Sequence, residues 1–226
     1  MKILALETST ELCSAALWLD GRIDAREVVA GQRNSELLLP MVDALLAANN
    51  LAARELDGVA FGAGPGAFTG VRIACGVAQG IAFGIDVPVA AIGTLIALAE
   101  ASGAPRVVCC LDARMGEVYH AAYEQRGDDW HELHAPGLYK PEGVPELPAG
   151  KWSACGSGFA VFRDDLMARY ADNVDKILDG LAPHAREIAI LAARQFALGD
   201  TVDAADALPL YVRNKVALKI NERTPQ

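Results

Sequence analysis

The sequence contains no C-x-x-C pair, no H-x-x-x-H or H-E-x-x-H pair, and no glycine loop closed by Lys-Ser or Lys-Thr. These absences leave no cysteine-based metal spacing, disfavour a zincin-type peptidase and rule out a Walker phosphate loop. The five cysteines, at positions 13, 75, 109, 110 and 155, are odd in number and follow no framework, so buried thiols in a reducing cytosol are expected. Histidine is missing from the first 119 residues. His131 and His134 have no evident third ligand and read as exposed polar residues, so no metal site is expected. Basic residues are scarce: 20 Lys and Arg face 29 Asp and Glu, for a net charge of -9. Such a chain does not grip nucleic acid by itself, although a companion subunit can supply the contacts. The N-terminus meets Glu7 too early for a secretory segment, and the apolar run 73–85 is too short to cross a bilayer and ends at Asp86. A cytoplasmic chain with no membrane partner is expected.

What is present is 226 residues, 52% of them hydrophobic, enough for one large domain or two small ones with proper cores. The stretch from Phe61 to Arg72, FGAGPGAFTGVR, joins a short apolar strand (56–61) to a long aliphatic helix (67–84). Glycines 62, 64 and 66 permit positive φ and close backbone approach, and Pro65 stiffens the loop. Three readings stand: a phosphate cradle at a helix start, a dinucleotide fingerprint, or a tight structural turn. The second is weakened because Asp86 precedes the next strand instead of ending it. Of the other two, the structural turn is favoured, because such a motif alone is weak.

Strands are expected at 2–7, 14–19 and 22–29, with Asp20-Gly21 as a tight hairpin turn. A helix follows near Asn34-Ser35-Glu36, with Ser35 as cap and Pro40 distorting its first turn or marking its regular start. From 37 to 48 its only charge is Asp43, and the helix 67–84 is polar only at Thr69, Arg72 and Gln79. Helices apolar all round are buried on two sides, either by layers of the same chain or by a partner. Gly76, Gly80 and Gly84 form a stripe at four-residue spacing, which costs about 1 kcal/mol per glycine against alanine and so points to packing. Further elements are a strand at 87–91 and a helix at 94–102 capped by Thr94. Beyond a boundary at 103 come strands 106–111, 117–124 and 130–133, an irregular loop 136–148, a strand 151–155, a helix 159–170 and a helix 188–198. The end of the chain carries Arg213, Lys215, Lys219 and Arg223, either a solvated end or a docking segment. The two halves, 1–103 and 104–226, thus share a β-β-β-α-β-α layout, that of the actin-like ATPase (ASKHA) fold of class α/β. In that layout the turns Glu7–Thr10 and Asp112–Gly116 would face phosphate.

The blocks LALETST (4–10), G-x-G-P-G-x-F-T-G-V-R-I (62–73), D-A-R-x-G-E-V-Y (112–119), GSG (156–158) and YVRN (211–214) together resemble the TsaB (YeaZ) family of bacterial tRNA threonylcarbamoyladenosine biosynthesis proteins, over nearly the whole chain. The resemblance implies a non-catalytic subunit needed to make t6A at adenosine 37 of tRNAs reading ANN codons. It implies pairing with a catalytic, metal-bearing paralogue, TsaD, together with an ATPase subunit, TsaE. It also implies a homodimer when the chain is alone, and tRNA contact only through the complex. The pairing surface would be the two apolar helices, through Leu38, Met41, Val42, Leu45, Arg72, Ile73, Gly76, Gly80 and Phe83. No catalytic residue is expected. Residual nucleotide-phosphate contacts would fall to Thr8, Ser9, Gly64, Gly66, Asp112 and Arg114, with no cofactor of the chain's own beyond ATP or ADP at the partner interface. Glu7 stands where an actin-like enzyme wants a magnesium-holding aspartate, and Arg114 is placed to neutralise Asp112. The alternative is an actin-like ATPase or kinase using Asp112, Thr8, Ser9 and the glycine loop. A metallopeptidase is a third reading, disfavoured by the missing histidine pair.

Overall fold

The computed structural model describes residues 1–212, so the basic positions 213, 215, 219 and 223 lie outside the described residues. The chain opens with three antiparallel strands: β1 (Lys2–Glu7), β2 (Leu12–Leu19) and β3 (Arg22–Val29). Asp20 and Gly21 take φ of 52° and 96°, the two left-handed positions that a primed two-residue hairpin needs. There follow α1 (Asn34–Ala48), β4 (Gly58–Gly64), α2 (Phe68–Ile85), β5 (Val89–Gly93) and α3 (Thr94–Ser102). The second half repeats the opening with β6 (Arg106–Arg114), β7 (Glu117–Arg126) and β8 (Asp129–Tyr139). It continues with β9 (Trp152–Cys155), α4 (Ser157–Val161), α5 (Arg163–Tyr170), β10 (Val174–Leu178) and α6 (Ala185–Leu198).

The strands form two five-stranded sheets, ordered β3-β2-β1-β4-β5 and β10-β9-β6-β7-β8. Read from the other edge, the second order matches the first position for position, with the inner strands parallel in both. The duplicated α/β layout is therefore present, with one substitution. Where the first half carries α1, the second has only a short 3-10 turn, Pro141–Gly143.

The halves are not independent beyond their sheets. Leu95, Leu98 and Ala99 of α3 pack on Val107, Cys109, Leu111 and Tyr123 of the second sheet. Ile188, Ala189 and Ala192 of α6 pack on Ile3, Ala5, Ala60 and Ile92 of the first. Each half thus covers the other's sheet, and the chain after α6 stays with the first lobe, where Val202 exchanges two backbone hydrogen bonds with Val89. The boundary at 103/104 separates the sheets, while α6 packs on the first sheet and α3 lies between the two, with Leu95 and Leu98 on the second and Ala97 on the first.

Local differences have local causes. α1 starts at Asn34 with Arg33 as an uncapped flank, so Ser35 lies inside the first turn. Pro40 sits within the helix on its solvent side, where the missing N–H leaves only a water-accessible carbonyl. Thr94 likewise follows the cap position, which Gly93 takes. β8 runs on to Tyr139 through the stretch expected to be irregular, because it is a sheet edge and Pro136 falls between paired residues. The helix expected at 159–170 breaks at Phe162 (φ -122°, ψ 39°) into α4 and α5. β10, with two charges in five residues, carried no strand signal.

Candidate functional site

Three features of the first lobe meet at the turn after β1. Glu7 is fully buried, and its Oε1 accepts a hydrogen bond from the Ser9 backbone N–H. Its Oε2 has no partner, and burial raises the carboxyl above its ordinary 4.5. Burial first, and the Glu7 charge second, push the neighbouring Cys13 thiol up to about 11. A Cβ on Gly62 would lie 1.9 Å from Glu7 Oε2, so any other residue there would have to displace that carboxylate.

The glycine loop presses onto this turn. The Thr8 hydroxyl donates to the Gly70 carbonyl at 2.7 Å, and the Ala67 N–H at the start of α2 donates to the Ser9 carbonyl at 2.7 Å. A Cβ on Gly66 would meet Ser9 at 2.6 Å, and one on Gly70 would meet the Thr8 carbonyl oxygen at 1.9 Å. Gly64, at φ 99°, precedes a cis bond to Pro65, and the Leu210 N–H donates to the Ala63 carbonyl beside it. Close backbone approach is thus what these glycines supply, and the geometry favours the structural turn among the three readings.

The second turn lies across a cleft of about 1500 Å³ between the sheets, bordered by Ser9, Gly66, Asp112 and Arg114. Thr8 and Gly64 do not border it. Arg114 and Met115 both take positive φ, 62° and 58°. The Asp112 carboxylate accepts from the Arg114 N–H at 2.8 Å and from its Nη1 at 3.0 Å, and Arg114 Nη2 lies 3.6 Å from Glu11 of the opposite turn. His184 accepts from the Arg186 N–H through Nδ1, which leaves Nε2–H to donate to Glu27 at 2.9 Å. Burial lowers the His184 pKa against the opposing pull of Glu27.

A nucleoside phosphate does not fit these donors. The Ser9 N–H, the Thr8 hydroxyl and the Ala67 N–H already have acceptors inside the chain, and Arg114 has two acidic partners. The cleft carries Glu11, Glu27 and Asp112 against Arg114 and His184, the wrong balance for an anion.

The helices carry a second surface. Among the described residues, no heavy atom lies within 4 Å of a Cβ built on Gly76, Gly80 or Gly84, so nothing described requires glycine there. Phe83 on the same face is 80% exposed, and a groove of about 400 Å³ runs between Gly76, Gly80, Phe83 and Ala204–Ala205. Three residues expected on this surface are placed elsewhere. Leu38, Val42 and Leu45 are buried against Leu4, Leu6, Leu17 and Phe61, because they form the one stripe of α1 that faces the first sheet. Met41 and Ile73 are partly buried against the same core. Arg72 stacks over the Phe68 ring at 3.2 Å and the Tyr211 ring at 4.8 Å. Leu39, exposed and unforeseen, belongs to the open side of α1; its offset from the 34, 38, 42, 45 stripe was the available signal. α2 is long and apolar enough to cross a membrane by length and composition, but one face of it packs on β4.

In the second lobe, His120 rather than His131 is enclosed. Its Nε2 lies 2.9 Å from the Tyr170 hydroxyl, which itself donates to the Pro145 carbonyl, and its ring centroid is 5.7 Å from that of His134.

The family model for TsaD, tRNA N6-adenosine threonylcarbamoyltransferase, matches residues 28–219. The chain is 37% identical to the tRNA threonylcarbamoyladenosine biosynthesis protein TsaB of Escherichia coli K12, over 97% of each chain. It is 35% identical to TsaB of Haemophilus influenzae Rd, over 97% of this chain and 96% of the other. YeaZ from Pseudomonas aeruginosa superposes with a TM-score of 0.85 at 38% identity, covering 93% of this chain and 99% of that one. A second Pseudomonas aeruginosa structure, described as similar to peptidase YEAZ, gives 0.87 at 38% identity.

Proposed function

The chain belongs to the TsaB (YeaZ) family of tRNA threonylcarbamoyladenosine biosynthesis proteins, and on that premise we propose that it serves t6A formation as a non-catalytic subunit that pairs with a TsaD-like paralogue through the open face of α2. The observation that carries this reading is the Gly76–Gly80–Gly84 face: three glycines that no described residue requires, beside the exposed Phe83. Each glycine forgoes about 1 kcal/mol of helix stability. A second helix approaching closely recovers that loss, because without side chains the two backbones can meet along the stripe.

The buried Thr8–Ser9 turn supports a scaffold in place of a phosphate site. A nucleotide shared with the partner would draw its phosphate donors from that partner. The TsaE-like ATPase, the ANN-codon tRNAs with adenosine 37, the homodimer of the isolated chain and a cytoplasmic setting belong to the same proposal.

The test is reconstitution. With a TsaD-like paralogue and a TsaE-like ATPase, omission of this chain abolishes threonylcarbamoylated tRNA, and the chain alone makes none. Gly80→Arg elutes apart from the paralogue while keeping a melting temperature at or above that of the wild type. Continued co-elution of that variant would overturn the assignment.

A further inference from the structure

We propose that Arg72 sets the register and the choice of partner on the open face of α2, by receiving a carboxylate from the paralogue helix that lies along the glycine row. This inference rests on the pairing proposed above and adds the chemistry that the partner must bring. Phe68, Arg72, Gly76, Gly80 and Gly84 follow at four-residue spacing and form one ridge of α2. The three glycines, Phe68 and Phe83 are exposed, so the face stays open along the helix, and Arg72 is the only charged residue of α2.

The guanidinium is held in place and left unneutralised. It stacks on the Phe68 ring at 3.2 Å and the Tyr211 ring at 4.8 Å, and its Nη1 donates to the Phe68 carbonyl at 2.9 Å. Among the described residues, its Nε and Nη2 have no acceptor and no carboxylate pairs with it. The side chain lies back over the first turn of α2, beside the positive end of the helix dipole, where a cation is disfavoured and an anion favoured. A carboxylate set there answers both charges, and the planar fork can take its two oxygens side by side. A single guanidinium in a chain of net charge -9 is too little for a phosphate backbone. An arginine held by aromatic rings, beside a row without other charges, matches the central part of a protein interface. α2 of a second copy would bring only another guanidinium, so the same contact favours the paralogue over self-pairing.

Titration calorimetry with the TsaD-like paralogue, from about 50 mM to about 500 mM NaCl, tests this. Arg72→Gln should bind the paralogue roughly tenfold more weakly, with a flatter salt dependence than the wild type, and should self-associate no less than the wild type. Arg72→Glu should bind more weakly still, and reversing one carboxylate on the paralogue's helix to arginine should restore most of the loss. Gly80→Arg, run alongside, separates the two levels. If it pairs like the wild type, the pairing itself is misassigned. If it fails to pair while Arg72→Gln keeps wild-type affinity and salt dependence, the pairing stands and this inference falls. It falls equally if no charge reversal on the paralogue rescues Arg72→Glu, or if Arg72→Gln weakens self-association as much as the mixed complex. Reduced tRNA binding by an Arg72→Gln complex whose pairing is intact would assign the guanidinium to nucleic acid and overturn it too.

Discussion

Glu100 and Arg194 form a two-point ion pair, Nη2 to Oε1 at 2.9 Å and Nη1 to Oε2 at 3.2 Å, joining α3 to α6. Trp130 Nε1 of β8 adds a third bond to the same carboxylate at 2.6 Å, so one mostly buried acid ties together elements of both halves. Arg194→Met removes two of the three donors while keeping the aliphatic stem. A loss of roughly 2 kcal/mol in denaturant unfolding is expected, as for hydrogen bonds to charged groups. An unchanged midpoint would reduce the pair to a surface contact.

Two glycines of α2 should respond in opposite directions. Gly70→Ala places a methyl 1.9 Å from the Thr8 carbonyl oxygen, backbone that cannot step aside. A cost of roughly 3 kcal/mol is expected, visible as a lower melting temperature. Gly80→Ala meets open space, and helix propensity should raise stability by up to about 1 kcal/mol. If both variants destabilise alike, the α2 stripe is packed in a way that the isolated chain does not reveal.

Glu7 should make the protein less stable as pH rises. Its folded pKa is raised above 4.5, so the folded state holds a proton that the unfolded state releases. The associated stability is present below 4.5 and lost as pH climbs through the folded value. Glu7→Gln keeps an acceptor for the Ser9 N–H without the charge. Its gain over wild type should be near zero at pH 4 and positive at pH 8 in paired unfolding curves. A pH-independent difference would show that the carboxyl ionises as easily folded as unfolded.

His120 acts at the other end of the scale. Burial first, and His134 second, lower its pKa from 6.5 to about 3. Tyr170 spends its proton on Pro145, so His120 must donate from Nε2, and a second proton at Nδ1 finds no acceptor. The unfolded chain takes up that proton near pH 6.5 and the folded one does not. The stability contribution is therefore complete above 6.5 and falls towards pH 3 by about 1.4 kcal/mol per unit. Nitrogen NMR should report a neutral Nε2–H tautomer at pH 5; an imidazolium there would refute the assignment.

What could be read from the residues divides along range. The Asp20-Gly21 hairpin, the first three strands and the helix 94–102 carry their signals within a few positions, and the structure places them there. The glycines of the loop were legible as close-approach residues, but the object they approach, Thr8–Ser9, lies some sixty residues away. α1 and α2 read as apolar all round because their solvent sides hold Leu39, Ala47, Gly80 and Phe83 instead of charges. Composition could not tell that side from the one packed on the sheet. Leu38, Val42 and Leu45 were accordingly assigned outward when they point in. β10 was illegible because it is short and bears Asp175 and Lys176.

The helix exchange between halves also sets a timetable for biosynthesis. β5 completes the first sheet at Gly93, yet the helix that covers it ends at Leu198, 105 residues later. At about 5–20 residues per second, a ribosome leaves Ile3, Ala60 and Ile92 uncovered for roughly 5–20 s. Nearly the whole polypeptide must exist before its earliest-made layer is sealed, so chaperone protection matters most for the part of the molecule that is synthesised first.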